Sequence, residues 1–244
     1  TYGMYEVLAN VNAVEIQKVN LSESFQPKVD NILNSANHDT KILFLCSPNN
    51  PTGNCFGVKE VERLLNEFNG IVAIDEAYID FSEQKSWLNR LDEFPNVIIT
   101  QTLSKAYGMA GIRLGICYAS REIISVLNKI KPPYNVNELT QLRALERLSQ
   151  SGEVETEVKR ILEQRNFINS ELKTIPFIEQ IYPSDANFLL VKVDDAVKIY
   201  DELINKGIVV RKRSNQPLCD NCLRLTVGTE TENIKLITTL KELS

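Results

Sequence analysis

The chain has 244 residues, 43% of them hydrophobic and 24% charged, which is typical of an ordinary globular protein with one large domain or two modest ones. A formal net charge of −5 argues against nucleic-acid binding, and no apolar run is long enough to span a membrane. An odd number of cysteines, five in a chain too long to need disulfides, and the lack of a visible secretory leader predict a reduced cytoplasmic protein.

The first part of the chain alternates between helical and strand patterns. Predicted helices cover 6–10, 27–34 and 58–68. Predicted strands cover 13–19, 41–46, 70–74, 97–99 and 112–119. The continuous apolar runs among them are typical of strands that are covered on both faces, as in parallel sheets. This pattern predicts an α/β fold, with a mostly parallel sheet sandwiched by helices.

After Lys131-Pro132-Pro133 the pattern changes to shorter strands and longer helices. Predicted helices cover 137–148, 153–174, 196–206 and 230–243, and predicted strands cover 188–193, 208–211 and 222–227. Alternation of this kind favours a smaller α+β domain. The sequence therefore predicts a large domain over 1–151 and a small C-terminal domain over 152–244.

Polar residues follow the carboxyl ends of three successive predicted strands of the large domain. These residues are Asn50, Asp75 and Lys105. Open α/β sheets bind their ligands at that edge, so the amide, the carboxylate and the amine are expected to converge in space. The carboxylate could also keep a ring nitrogen of a bound ligand protonated. At a distance of about 4 Å it would stabilise the protonated nitrogen by roughly 4 kcal/mol, which raises the pKa of that nitrogen by about three units.

The stretch from Thr102 to Arg113 combines an amine with groups that bind anions. Lys105 is flanked by the hydroxyls of Thr102 and Ser104 and is followed eight residues later by Arg113. A lysine amine reacts with carbonyls when desolvation or nearby charge lowers its pKa, and hydroxyls with a guanidinium suit a phosphate. Taken alone, the stretch fits either a surface lysine in a Ser/Gly loop or a covalently held aldehyde cofactor that bears a phosphate. Together with Asn50 and Asp75 it favours the cofactor, which has the chemistry of pyridoxal 5′-phosphate.

Four motifs resemble those of the fold type I, class II pyridoxal-phosphate-dependent aminotransferases, and most closely the histidinol-phosphate branch of that family. They are Asn50-Pro51-Thr52-Gly53, Asp75-Glu76-Ala77-Tyr78, Thr102-Leu103-Ser104-Lys105 with Arg113, and Cys222-Leu223-Arg224-Leu225-Thr226-Val227-Gly228-Thr229. Their order and spacing match as well, and the resemblance covers essentially the whole chain.

The resemblance implies a role for each matching residue. Lys105 would anchor the cofactor and carry a proton, and Asp75 and Tyr78 would complete the catalytic set. The implied cofactor contacts are Tyr2 stacking on the ring, Asn50 and Tyr78 at the ring hydroxyl, Asp75 at the ring nitrogen, and Thr102, Ser104 and Arg113 at the phosphate. Arg224 would bind the anionic group of the substrate, and Arg211 would be the second arginine that a phosphorylated substrate needs.

The implied activity is transamination between histidinol phosphate and imidazole acetol phosphate, with glutamate and 2-oxoglutarate, in histidine biosynthesis. Family members are homodimers with active sites at the subunit interface, and the same is expected here. Relatives also carry a segment before Tyr2 that includes a glycine-containing phosphate loop and a tyrosine that reaches the neighbouring subunit's cofactor. Three alternatives stay open: an aromatic or other amino-acid aminotransferase, a threonine-phosphate decarboxylase, and a non-catalytic binding module of the same fold.

Some residues keep a second interpretation. Arg211 stands beside Lys212 and Arg213, which could form a solvated basic cluster, and Thr102 could be a turn residue. Tyr2 lies near the beginning of the chain, where residues are often poorly ordered. Cys219 and Cys222 have the spacing of a redox or zinc pair, but there is no second pair, so we expect neither function and no metal site. His38, in a polar loop, is expected to be exposed.

Overall fold

The computed structural model describes all residues from 1 to 244 and divides into two compact units. The first unit contains Thr1–Asn50 and Cys55–Val154, and the second contains Pro51–Asn54 and Glu155–Ser244. The boundary after Val154 falls inside a long helix, and the second unit includes a short segment from the first third of the chain. Every helix is too short or too polar to cross a membrane.

The first unit contains five helices and one sheet. The helices are α1 (Met4–Val11), α2 (Val29–Ser35), α3 (Val58–Glu67), α4 (Arg121–Ile130) and α5 (Glu138–Leu148), followed by the start of α6 (Ser151–Leu172). The strands are β1 (Ile42–Cys46), β2 (Ile71–Asp75), β3 (Val97–Thr102) and β4 (Gly115–Ala119). They lie in the order β1-β2-β3-β4, in which the first three are parallel and β4 is antiparallel to β3. The predicted mostly parallel α/β sheet is therefore confirmed.

The core of this unit lies between the sheet and the helices that cover it. Val61, Leu64 and Leu65 of α3 are buried at helical spacing against Val72 and Ile74 of β2. Burial of such side chains contributes roughly 1.5–3 kcal/mol each. This packing fixes the carboxyl ends of β1, β2 and β3 along one edge of the sheet.

The second unit packs helices on an antiparallel sheet. Its helices are the greater part of α6, α7 (Ala196–Asn205) and α8 (Glu230–Glu242). Its strands are β5 (Ile178–Ile181), β6 (Phe188–Val193), β7 (Arg211–Lys212) and β8 (Cys222–Thr226), in the order β5-β6-β8-β7. The smaller α+β architecture predicted for the C-terminal part is thus present, with Ile168, Leu190 and Leu223 among its fully buried side chains.

The structure differs from the sequence-based elements at three places. The strand predicted over 13–19 is wrong, because this segment pairs with no other strand and Val14 is 57% exposed. Helix α4 was not predicted. The expectation that the apolar strands are covered on both faces fails for β1, where Ile42 and Phe44 are half exposed while Leu45 is buried. The alternation arises because β1 is an edge strand whose successive side chains point to opposite faces.

Candidate active site

Asp75 ends β2 at the centre of the sheet edge where the site was predicted. In the strand register it lies between Cys46 of β1 and Thr100 of β3. The ladder continues past the strands, since the Ser47 N–H donates to the Asp75 carbonyl at 3.0 Å and the Glu76 N–H donates to the Thr100 carbonyl at 2.8 Å. The backbone of Asp75 is therefore fixed on both sides, and its partly buried side chain extends from a rigid position.

Both oxygens of the Asp75 carboxylate accept a hydrogen bond. The Tyr5 hydroxyl donates to Oδ2 at 2.5 Å, and the Ala77 N–H donates to Oδ1 at 3.1 Å. Tyr5 is not among the predicted site residues, although its spacing of three residues from Tyr2 would place both rings on one side of a helical turn. This spacing was the available signal.

Tyr5 is held by aromatic contacts on two sides. Its ring stacks on Phe44 of β1, with the centroids 4.9 Å apart, and meets the ring of Tyr2 edge-on at 5.7 Å. Tyr2 itself is 47% exposed. Burial, together with the nearby Cys46 and Asp75, raises the pKa of the Tyr5 hydroxyl far above its ordinary value, and the hydroxyl stays a neutral donor.

Cys46 and Asn50 lie beside Asp75 at the end of β1. Burial and the neighbouring Asp75 carboxylate raise the pKa of the Cys46 thiol to about 11, so the thiol is neutral at physiological pH. The backbone of Asn50 hydrogen-bonds this sulfur, which attaches the turn after β1 to the strand end. Asn50 is half-buried at this edge. The structure thus brings Asn50 to the neighbourhood of Asp75 by way of Cys46.

Tyr78 and Lys105 form a second contact at the edge. The Lys105 amine lies 5.2 Å from the centroid of the Tyr78 ring, within the range of a cation–π interaction. Tyr78 is buried, with 6% of its surface exposed, whereas Lys105 is exposed. The loop of Lys105 is closed by hydrogen bonds from the Gly108 N–H to the Lys105 carbonyl at 3.0 Å and from the Met109 N–H to the Leu103 carbonyl at 2.9 Å.

The two hydroxyls predicted to bind phosphate are adjacent. The oxygens of Thr102 and Ser104 are 2.9 Å apart, and the Ser104 N–H donates to the Thr102 hydroxyl at 3.1 Å. Arg113 has a left-handed backbone with φ of 56°, and its exposed guanidinium donates to the Ala110 carbonyl at 2.9 Å. The structure therefore brings the hydroxyls together at the end of β3 and places Arg113 at the end of the same loop.

This set of donors fits pyridoxal phosphate in chemical type. An exposed amine, a carboxylate held at both oxygens and an adjacent pair of hydroxyls lie on consecutive strands of one sheet edge. The groups suit an aldehyde, a ring nitrogen and a phosphate, respectively. Asp75, Tyr78 and Lys105 are the residues that could hold the ring.

Glu76 has a different role from its neighbour Asp75. The residue is buried, with 1% of its surface exposed, and its carboxylate accepts hydrogen bonds from the Ser86 hydroxyl at 2.5 Å, the Trp87 N–H at 2.7 Å and the Gln101 amide at 2.9 Å. These bonds fasten the segment after β2 to β3. Glu76 therefore stabilises the edge on which the site stands.

In the second unit, Arg211 and Arg224 are direct cross-strand partners in the antiparallel pair of β7 and β8. Side chains of directly opposed residues leave the same face of a sheet, with Cβ atoms roughly 4.5–5.5 Å apart. The Arg224 guanidinium lies over the Phe188 ring at 4.8 Å, and Arg211 is exposed. Like charges in this arrangement repel, so the pair forms a site at which an anion would be stabilised.

His38 is exposed, as expected, with its imidazole 90% accessible beside Asp39. Cys219 and Cys222 are both buried and free thiols.

Comparison with known proteins gives one consistent result. The family described as aminotransferase class I and II matches residues 1–240. The histidinol-phosphate aminotransferase of Flavobacterium johnsoniae is 61% identical over 244 residues, which are 100% of this chain and 70% of that protein. The protein of the same name from Flavobacterium psychrophilum is 62% identical over 243 residues, again 100% of this chain and 70% of that protein.

Solved structures agree with these sequence relatives. The crystal structure of the histidinol-phosphate aminotransferase from Clostridium acetobutylicum superposes with a TM-score of 0.93 at 26% identity, covering 100% of this chain and 75% of that one. The enzyme of the same name from Sinorhizobium meliloti, in complex with pyridoxal 5′-phosphate, gives a TM-score of 0.89 at 21% identity, covering 99% of this chain and 67% of that one. The latter likeness shows the fold alone.

Proposed function

The chain belongs to the class I and II aminotransferases, and we propose that it interconverts histidinol phosphate and imidazole acetol phosphate, with glutamate and 2-oxoglutarate as the second pair of substrates, in histidine biosynthesis. Its cofactor is pyridoxal 5′-phosphate. Relatives named histidinol-phosphate aminotransferase, 51–62% identical over 99–100% of the chain, support the assignment.

The observation in this chain that carries the substrate proposal is the cross-strand pair of Arg211 and Arg224. Two guanidinium groups on one face suit a doubly charged phosphate better than a single carboxylate, because each can donate a charge-assisted hydrogen bond to a different oxygen. Arg224, held over Phe188, would bind the anionic group of either amine, and Arg211 would add a contact to a second oxygen of the phosphate.

Lys105 would do the covalent and proton-transfer chemistry. Its amine follows β3 and lies 5.2 Å from the centroid of the Tyr78 ring, and it would hold the cofactor through the aldehyde, with loss of water. The Lys105 amine would also take the proton from the substrate α-carbon and deliver it to the cofactor, as general base and then as general acid. When bound, pyridoxal phosphate supplies an electron sink for the pair of electrons that this proton leaves behind.

Asp75, Asn50 and Tyr78 would hold the cofactor ring. The Asp75 carboxylate, fixed at both oxygens, would pair with the ring nitrogen and keep it protonated. Asn50 and Tyr78 supply an amide and a phenol that can hydrogen-bond the ring hydroxyl. Tyr2, which is half exposed beside Tyr5, would stack on the cofactor ring.

Thr102, Ser104 and Arg113 would bind the cofactor phosphate. The adjacent hydroxyls can donate to two phosphate oxygens, and Arg113 would exchange its contact with the Ala110 carbonyl for a stronger bond to a charged oxygen. These residues would hold the phosphate arm of the cofactor at the end of β3, close to Lys105 in the chain.

We also propose a homodimer and a cytoplasmic location. Helix α5 exposes four leucines at every third position, Leu139, Leu142, Leu145 and Leu148, with 43–75% of each accessible. An apolar stripe of this size favours an interface. Five free thiols suit a reducing compartment. Light scattering of the purified full-length protein tests the dimer, and a monomer at micromolar concentration would contradict it.

The substrate proposal is tested by ranking amines with the purified full-length protein. We expect kcat/KM for histidinol phosphate to exceed that for phenylalanine and aspartate, with 2-oxoglutarate as acceptor. The reverse ranking would reject this substrate and leave an aminotransferase of another specificity. Release of carbon dioxide from O-phosphothreonine without amino transfer would favour the decarboxylase, and absence of any turnover would favour a binding module.

A further inference from the structure

Tyr5 makes a hydrogen bond to Asp75, the carboxylate that would pair with the nitrogen of the cofactor ring. Its hydroxyl donates to Asp75 Oδ2 at 2.5 Å across 70 residues of sequence. The remaining oxygen, Oδ1, is held by the Ala77 N–H, two residues further along the same backbone. A carboxylate held through one oxygen alone can pivot about its last side-chain torsion. The long-range bond from Tyr5 therefore fixes the plane of the carboxylate.

The donor at this position is neutral and comes from a different element. Burial raises the pKa of the Tyr5 hydroxyl, and the nearby Cys46 thiol also stays protonated because its own pKa is about 11. Tyr5 and Cys46, two titratable groups beside Asp75, thus remain uncharged over the physiological range. Tyr5 can donate to the carboxylate without neutralising its charge, which the ring nitrogen requires.

The ring of Tyr5 has a second function in the same place. Helix α1 is exposed along most of its length, with Val7, Leu8 and Val11 about half or more accessible. Tyr5 is partly buried and stacks on Phe44 of β1. Its N–H donates to the Tyr2 carbonyl at 3.3 Å, and its ring meets the Tyr2 ring edge-on. The position of Tyr2 therefore depends on the contact between Tyr5 and the sheet.

We propose that Tyr5 is a positioning residue for the cofactor: its hydroxyl orients the Asp75 carboxylate toward the ring nitrogen, and its ring holds Tyr2 in place to stack on the ring face. The inference rests on the proposed function, because it concerns how the same site receives pyridoxal phosphate. A site whose groups are already oriented loses less conformational freedom on binding, so the cofactor binds more tightly.

The test is a double-mutant cycle on the full-length protein, read as the dissociation constant of pyridoxal phosphate. Tyr5→Phe keeps the ring on Phe44 and removes the hydroxyl, and we expect the constant to rise about tenfold. In an Asp75→Asn background the same change should alter the constant less than twofold, since Tyr5 acts through Asp75. Tyr118→Phe removes a hydroxyl from another partly buried tyrosine of the same unit and should change the constant less than twofold.

Visible circular dichroism of the bound cofactor gives a second readout that does not need the Asp75→Asn variant. With cofactor in excess, Tyr5→Phe should change the position or amplitude of the band, because the ring tilts when its nitrogen partner turns. An unchanged band, or an equal effect of Tyr5→Phe with and without the Asp75→Asn substitution, would overturn the inference and leave the proposed function standing. Failure of the unaltered protein to bind pyridoxal phosphate would overturn both.

Discussion

Replacing Arg211 with alanine should lower kcat/KM for histidinol phosphate much more than kcat/KM for glutamate. Arg211 lies directly opposite Arg224 on β7 and β8 and is exposed. A hydrogen bond to a charged group contributes about 1.5–3 kcal/mol, and exposure favours the lower figure, which corresponds to a loss of about tenfold in kcat/KM. Because removal of one of two opposed cations relieves repulsion, the ligand-free protein should lose no more than about 0.5 kcal/mol of stability.

The assay measures the two half-reactions separately on the full-length protein. In Arg211→Ala, kcat/KM should fall about tenfold for histidinol phosphate and less than threefold for glutamate, because Arg224 still binds the carboxylate. Urea unfolding of the ligand-free variant checks the stability expectation. Lys212→Ala is the matched control, since it removes the same charge from the next position of β7, where the amine lies 5.6 Å from the Tyr200 ring. We expect it to leave both half-reactions within twofold.

Equal losses for histidinol phosphate and glutamate in Arg211→Ala would refute the assignment of Arg211 to the phosphate. An effect of Lys212→Ala as large as that of Arg211→Ala would show that the loss reflects net charge and not the face of the sheet. Neither result would contradict the assigned fold or the assigned cofactor.

Two further changes test local structure. Gly53→Ala should lower the free energy of unfolding of the second unit by about 2–4 kcal/mol, measured in urea, because Gly53 has φ of 87° and an added Cβ would lie 2.5 Å from the Ser184 hydroxyl oxygen. Gly207→Ala is the control, because Gly207 has φ of 72° but open space around it, and it should lower the free energy by only about 1–2 kcal/mol. Equal losses in the two variants would contradict the predicted clash with Ser184. Since burial raises the pKa of Cys46 from 9.0 to about 11, the unfolded state loses the thiol proton first, and stability should fall by roughly 2 kcal/mol as pH rises through this interval. Cys46→Ala should remove that part of the pH dependence, and an unchanged slope would exclude Cys46 as its source.

Local patterns were sufficient to predict much of the large unit. The apolar run at 41–46 and the amphipathic spacing at 58–68 predicted β1 and α3, because hydrophobic periodicity is a local feature of the chain. The strand predicted over 13–19 failed because weak alternation does not form a strand without a neighbouring backbone to pair with. Exposure of Phe44 could not be predicted either, since it depends on which strand lies at the edge of the sheet.

The candidate site, too, was predicted only in part from the sequence. Strand ends predicted that Asn50, Asp75 and Lys105 share one edge, because parallel strands present their carboxyl ends together. The hydrogen bond from Tyr5 to Asp75 was not predicted, because it joins residues 70 positions apart through the docking of α1 on the sheet. The sequence likewise could not predict that Arg211 and Arg224 lie directly opposite each other, since this depends on the register of β7 and β8.

The central claim is that this sheet edge anchors pyridoxal phosphate through Lys105. Borohydride reduction of the full-length protein loaded with cofactor, followed by peptide mass mapping, tests it most directly. We predict a single modified peptide that carries the reduced phosphopyridoxyl group on Lys105, and no modification after prior incubation with excess histidinol phosphate. Attachment to another lysine, or no attachment at all, would contradict the account.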